Sequence, residues 1–428
     1  MKYIITLLIS ICTLSYGAAQ QTPGASQTQR IAIVGATAHI GDGTVLANSV
    51  IGFTNGKIDY VGTDKNKAAA YDLQVEATGK HVYPGFIATN SPLGLVEINA
   101  VRASVDSDEL GDFLPHVRSL VAYDAESKTV ESMRPNGVLM AQVVPQGGII
   151  SGSSSVMQLD AWNWEDAVLR ADDGIHLNWP RPFTRGRWWL GESPDLKPNK
   201  NYPTTVKKIK AFFTQAKAYI NDPQPKHLPY HAMKGVFEGT QQVFLHAQSA
   251  KQIKEGVRLL KQLGVVKVVV VGGHQAAAVV DFLKEHKIPV VISQPHRLPQ
   301  SDDEDPKYTF KLARILLDNG ITTSIDVSGR LQDIRNLPFY AGSFAAYGVP
   351  KEKAVQMLTH DAAAILGLED QLGTLSEGKD ATLFISQGDA LDMRTNILEL
   401  AFIQGRKISL DTHHTKLWKR YSNKYGVK

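Results

Sequence analysis

Residues 243–293 read VFLHAQSAKQIKEGVRLLKQLGVVKVVVVGGHQAAAVVDFLKEHKIPVVIS. Three short apolar runs stand out: Val243 to Ala247, Lys267 to Val271 and Val290 to Ser293. Two longer amphipathic segments separate them, Ala250 to Leu263 and Gln275 to His286. Short apolar runs bounded by turn residues read as buried strands, and apolar residues three and four apart read as helix. Strand, helix, strand repeating at this interval predicts a parallel sheet covered by helices.

The same rhythm continues on both sides. Tyr308 to Asn319 predicts a helix and Thr322 to Ile325 a strand, while Val82 to Ala88 and Val138 to Val144 predict earlier strands. The span of about 290 residues suits a closed TIM-like (β/α)8 barrel, assigned to residues 83–370. The third and fourth strands cannot be placed between Trp162 and Gly239. At the N-terminal side, Ile31 to Val34, Ser49 to Thr54 and Lys57 to Val61 read as strands, with Asn55-Gly56 as a hairpin turn because both residues tolerate positive φ. After Gly367 the chain returns to strands at Ala381 to Ser386 and Leu398 to Ile403. Residues 31–82 and 371–410 are therefore expected to form one composite β-sandwich, with a tail at 411–428 that is helical from Thr415 to Tyr425.

Composition narrows the class. The 428 residues are 43% hydrophobic and 21% charged with a formal net charge of +4, ordinary values for a globular chain. No basic block marks a nucleic-acid footprint. Met1-Lys2, the apolar Tyr3 to Leu14 and the small Gly17-Ala18-Ala19 read as a secretory signal cleaved near Ala19, which predicts an exported, periplasmic or extracellular protein. Residues 20–30 are a polar leader. No later stretch is long and apolar enough to span a membrane. The single cysteine, Cys12, lies in the signal, so the mature chain is expected to use neither disulfides nor a cysteine nucleophile. The serine-rich Ser151 to Ser155 lacks a Gly-x-Ser-x-Gly elbow and reads as a loop after the second strand. Arg181 to Trp189, with three arginines, reads as a surface insertion or a lid; Arg185 there is a candidate contact for an anionic group.

Several motifs resemble the amidohydrolase superfamily, in particular its imidazolonepropionase-like branch. They are Pro84-Gly85-Phe86-Ile87, Pro145-Gln146-Gly147-Gly148, Leu245-His246-Ala247, Asn336-Leu337-Pro338 and the closing block Leu372-Gly373-Thr374-Leu375-Ser376-Glu377-Gly378-Lys379-Asp380-Ala381-Thr382-Leu383. The resemblance covers nearly all of residues 31–410. It implies a metal-assisted hydrolase of non-peptide carbon–nitrogen bonds, in which a metal lowers the pKa of bound water and polarises the carbonyl.

The family pattern then assigns site residues one by one. Its first strand ends in Asp-x-His-x-His, where this chain has Ala88, Asn90 and Pro92, so the paired histidine ligands are absent. A bridging lysine aligns with Gln158, which cannot be carbamylated. His246 matches the ligand of the fifth strand. His274 is the weaker candidate for the sixth, since Gly272 competes for that register. Asp326, with Asp333 as rival, takes the place of the catalytic carboxylate after the eighth strand. His296 is a candidate substrate contact, His176 is ambiguous, and the acidic Asp106, Asp108 and Glu109 read as a solvated loop. Two functions remain open. One is a hydrolase of a small amide-type substrate holding at most one divalent metal, zinc by ligand type, on His246 and His274. The other is a non-catalytic subunit without metal, in a homo-oligomer or paired with an active paralogue.

Overall fold

The computed structural model describes residues 22–193, 195–222, 224–299 and 302–427. The predicted signal segment, with Cys12 and Ala19, lies outside them. No helix among the described residues is long and apolar enough to cross a membrane.

Both chain ends build one eight-stranded sheet. Its N-terminal strands are β1 (Ile31–His39), β2 (Val45–Thr54), β3 (Lys57–Gly62), β4 (Leu73–Glu76) and β5 (His81–Pro84). The order runs from the C-terminal strands through β5, β1 and β2 to β3, with β4 beside β1. The β2–β3 turn is Asn55-Gly56, with φ of 50° and 80°, as the dipeptide predicts. Bulges in β1 after Val34 and Ala36 bend the strand, so that its first half pairs with β4 and its second with β5.

The barrel follows. Its strands are β6 (Phe86–Ser91), β7 (Val138–Val143), β8 (Ile150–Gln158), β9 (Val168–Asn178), then, after a short exposed hairpin of β10 (Phe183–Arg185) and β11 (Leu196–Pro198), β12 (Gln242–Ala247), β13 (Val268–Gly272), β14 (Val290–Ser293) and β15 (Thr323–Asp326). The chain then returns to the first sheet as β16 (Leu383–Ser386), β17 (Leu398–Ile403) and β18 (Arg406–Lys407). Phe53 of β2 and Phe402 of β17 meet edge to face at 5.1 Å. Strands four places apart in a flat sheet would lie about 19 Å apart, so this sheet folds over onto itself around Ile33, Ile51, Ile58 and Ile385.

The architecture is a TIM-like barrel with this extra β domain, but three local expectations are corrected. Val82 to Ala88 is not one strand: Gly85 divides it, its N–H donating to Thr382 O in the small domain while Phe86 N–H donates to Gly137 O in the barrel. Ser151 to Ser155 is not a loop but the middle of β8. That strand runs antiparallel to both β7 and β9, whereas all other neighbours in the barrel are parallel. Its small side chains are buried on both faces, so no alternation announces it. Gln275 to His286 begins as a 3-10 turn and is α-helical over Val280–Glu285.

The helix Ala250–Leu263 matches its expected span. It opens with a capping box in which Ser249 and Gln252 exchange hydrogen bonds, and ends at Gly264 with φ 91°. Between β15 and β6 the barrel closes through Thr89 Oγ1, which donates to Ile325 O at 2.9 Å.

A buried ion cluster ties the floor of the barrel to both chain ends. Arg134, ahead of β7, pairs with Asp160, past β8, and both side chains are about 1% exposed. Asp160 also accepts from Gly24 N–H at 2.8 Å and from Arg406 Nη1 at 3.2 Å.

Candidate active site

In a strand, side chains two apart share a face. Ile87, Met140, Val156, Phe244, Val269 and Val291 point into the barrel and form its apolar filling. Two residues nearer the C-terminal end of the parallel strands, the same faces carry Thr89, Gln142, His246 and Ser293; Ser154 does so on the antiparallel β8. A polar layer thus sits directly on the apolar one, at the end of the barrel where (β/α)8 proteins place their sites.

Asp326, the last residue of β15, is 4% exposed. Its Oδ2 accepts from Ser293 Oγ at 2.6 Å and from Asn90 Nδ2 at 3.0 Å, and its Oδ1 accepts from Ser328 N–H at 2.7 Å. Burial raises its pKa, against the pull of these hydrogen bonds. Asn90 stands at φ 51°, a left-handed conformation that asparagine tolerates better than most residues. Its backbone N–H donates to Gln142 Oε1 at 3.1 Å. Gln142 Nε2 in turn donates to Asp173 Oδ2 at 2.8 Å, and Ser154 Oγ donates to Asp173 Oδ1 at 2.8 Å. Burial pushes the Asp173 carboxyl up to about 6. Five residues from β6, β7, β8, β9 and β15 therefore form one continuous hydrogen-bonded chain.

Beside it, His176 of β9 and His246 of β12 approach at 2.9 Å between Nδ1 and Nε2. His176 is fully buried, stacks on Phe244 at 4.7 Å, and leaves its Nε2 without a partner among the described residues. Burial lowers both imidazoles, His246 to about 4, and holds the pair neutral at physiological pH. A histidine whose folded pKa lies below its unfolded value of about 6.5 contributes stability that is complete above that pH and lost as pH falls toward 4. Acidification from pH 6.5 to 4 should thus cost the native state about 2–3 kcal/mol through His246, with His176 adding in the same direction. His246→Gln should flatten that part of the pH profile of urea unfolding; an unchanged profile contradicts the pairing.

The other sequence-assigned residues scatter. His274 lies past β13 in a loop cluster, where Arg297 Nε donates to its Nδ1 at 3.0 Å and Glu304 stands 3.1 Å from its Nε2. His296 shares a hydrogen bond with Ser343 Oγ at 2.9 Å and packs on Tyr340 at 4.3 Å. Together with Arg330, Asp333 and Tyr340 it lines a cavity of about 390 Å³ that also touches Val327, next to Asp326. Arg185 is on the exposed β10 hairpin. Pro92 is buried just past β6 and has no side-chain donor atom. Gln158 is corrected: because β8 runs downward, it reaches the barrel floor, where it bonds Asp166 O and accepts from Arg406 Nη2. It is not at the mouth, and its likeness to a bridging lysine position fails on that geometry. Sequence reasoning did not single out Gln142, Ser154, Asp173 or Ser293, which no local motif marks.

A barrel with a buried carboxylate and imidazoles gathered at its C-terminal mouth defines the class: an enzyme-type (β/α)8 barrel. The sequence pattern of the Amidohydrolase family matches residues 182–414, more than half of the chain, and the protein belongs to that family. Among solved structures, the amidohydrolase from Thermotoga maritima MSB8 shares 24% identity with a TM-score of 0.77, over 89% of this chain and 99% of that one. The putative prolidase from Bifidobacterium longum shares 16% identity with a TM-score of 0.55, over 92% and 99% of the two chains. The A. niger ochratoxinase shares 12% identity with a TM-score of 0.52, over 89% and 96%. These likenesses establish the fold. No curated protein matches the chain by sequence.

The family usually carries a divalent metal, and the donor groups here do not suit one. Among the described residues no three histidine, cysteine or carboxylate side chains form a ligand group. Asp326 is engaged by three donors, one of them the Asn90 amide, which presents hydrogens rather than a lone pair. His246 is committed to His176, and His274 to a guanidinium. A cation at Asp326 Oδ2, His246 Nε2 or His274 Nδ1 would compete with a hydrogen bond already made there.

Proposed function

We propose that the chain is an exported member of the imidazolonepropionase-like branch and a hydrolase that cleaves a non-peptide carbon–nitrogen bond in a small amide-type molecule. The substrate would be a cyclic amide, an N-acyl compound or a dipeptide-like amide, held at the barrel mouth. The observation that carries this reading is Asp326, a buried carboxylate with a raised pKa at the mouth, one residue from the wall of the cavity. A carboxylate made more basic by burial is a better proton acceptor than an exposed one. As water oxygen bonds to the carbonyl carbon, Asp326 accepts the water proton; as the carbon–nitrogen bond breaks, it returns that proton to the leaving nitrogen. The poor fit of the donors to a cation argues for chemistry that needs no metal.

A second reading draws on the same engagement of the donor groups. Asp326, His246 and His274 are each engaged by hydrogen bonds within the chain, which favours a non-catalytic partner subunit of an active paralogue. Purified mature protein incubated with a panel of cyclic amides, N-acyl amino acids and dipeptide-like amides separates the two. The hydrolase reading expects amine release from at least one class, undiminished by a chelator. No release across the panel overturns it in favour of the partner subunit.

A further inference from the structure

We propose that the cavity beside Asp326 recognises a small zwitterion, taking an ammonium group on Asp333 and a carboxylate on Arg330. The inference rests on the barrel mouth being the ligand site. The cavity measures about 390 Å³, within the range of small-molecule pockets. Three charged side chains line it: Arg297, Arg330 and Asp333. Arg297 is already committed, since Glu304 and His274 hold its guanidinium. Arg330 and Asp333 differ. Neither side chain has an ion-pair or hydrogen-bond partner among the described residues, and they do not pair with each other although both face the same space.

Their placement is fixed by the chain. Arg330 is the residue before the 3-10 turn Leu331–Asn336, and Asp333 sits in that turn's first three residues, its N–H donating to Arg330 O at 2.9 Å. The Asp333 carboxylate acts on His296, opposing the lowering that burial imposes there, and on the Tyr340 hydroxyl. It therefore stands over the aromatic side of the cavity. Opposite charges held apart in one wall are balanced by neither a simple anion nor a simple cation. A ligand bearing both charges satisfies both, with the guanidinium fork suited to a carboxylate and the rings of His296 and Tyr340, packed at a tilt, offering an apolar surface between them.

Isothermal titration of the full mature chain with alanyl-alanine, its N-acetyl derivative and its C-terminal amide tests this directly. The zwitterion should bind at least tenfold more tightly than either blocked form, a difference of about 1.4 kcal/mol. Arg330→Gln should weaken the free dipeptide and the N-acetyl form while sparing the amide. Asp333→Asn should weaken the free dipeptide and the amide while sparing the N-acetyl form. Equal binding of all three, or no binding of the zwitterion, overturns the proposal. Because binding is read without turnover, binding with this selectivity but no amine release across the amide panel would remove the hydrolase reading alone. Hydrolysis without it would remove only the zwitterion site.

Discussion

Asp326→Asn is expected to lower turnover of the amide substrate by about 10²–10⁴-fold, the usual contribution of a positioned proton acceptor. The substitution keeps the shape of the side chain but removes its basicity. It also disturbs the surroundings. Ser293 Oγ and Asn90 Nδ2 converge on one carboxylate oxygen and Ser328 N–H on the other, so both oxygens act as acceptors. An amide offers one acceptor and one donor, and some pair of donors must then face each other. A buried group left without its partner costs about 1–3 kcal/mol. The variant should therefore be less stable by that order yet remain folded, with ligand affinity changed far less than turnover. Steady-state kinetics beside calorimetric binding checks this. Turnover within a few-fold of the parent would show that Asp326 serves only to hold the barrel shut.

The second large effect lies at the opposite end of the barrel. Asp160→Ala should destabilise the protein by about 3–5 kcal/mol, because it strands a buried cation. Arg134 is 1% exposed, and its Nε and Nη2 have no partner among the described residues, so its contact with Asp160 is the largest part of its compensation, with the buried Glu131 second. Burial already lowers the Arg134 pKa, with Asp160 as the main opposing influence. The same carboxylate holds Gly24 near the N-terminal end of the described chain and Arg406 of β18. Its removal should thus loosen the small domain from the barrel as well. Urea unfolding followed by circular dichroism reads the change. The paired replacement Arg134→Met with Asp160→Leu should recover part of it, since the fully buried cation is gone while Arg406 and Gly24 still lose their carboxylate partner. A loss below about 1 kcal/mol for Asp160→Ala would contradict the assigned burial of the pair.

The half of the barrel from β12 to β15 was readable from sequence because β13 and β14 are Val and Ile runs and β12 carries Val-Phe-Leu, all buried on both faces. The Asn55-Gly56 hairpin and the Ala250–Leu263 helix were equally plain, each marked by residues with local conformational preferences. β8 was hidden for a physical reason. Ile150–Gln158 is buried on both sides and filled with serine and glycine, so it shows neither alternation nor an apolar run. Missing it also misplaced Gln158, since reversing one strand exchanges mouth and floor.

The site divides along similar lines. Asp326, His246 and Asn90 were visible because each is the last or next-to-last residue of a strand. What Asn90 does was not visible. Its amide meets Asp326 across 236 positions of sequence, and His176 meets His246 across 70. Such contacts exist only once the barrel has closed, and no spacing in the chain records them.

The central proposal is that Asn90, His246, His274 and Asp326, which the family resemblance assigns to a metal, are engaged by hydrogen bonds within the chain rather than by a metal. Metal stoichiometry tests this most directly. The purified mature chain would be loaded with zinc or manganese at near-neutral pH, dialysed and measured by mass spectrometry. The account predicts only trace metal, unchanged in His246→Ala. One tightly held ion per chain that disappears in His246→Ala would contradict it.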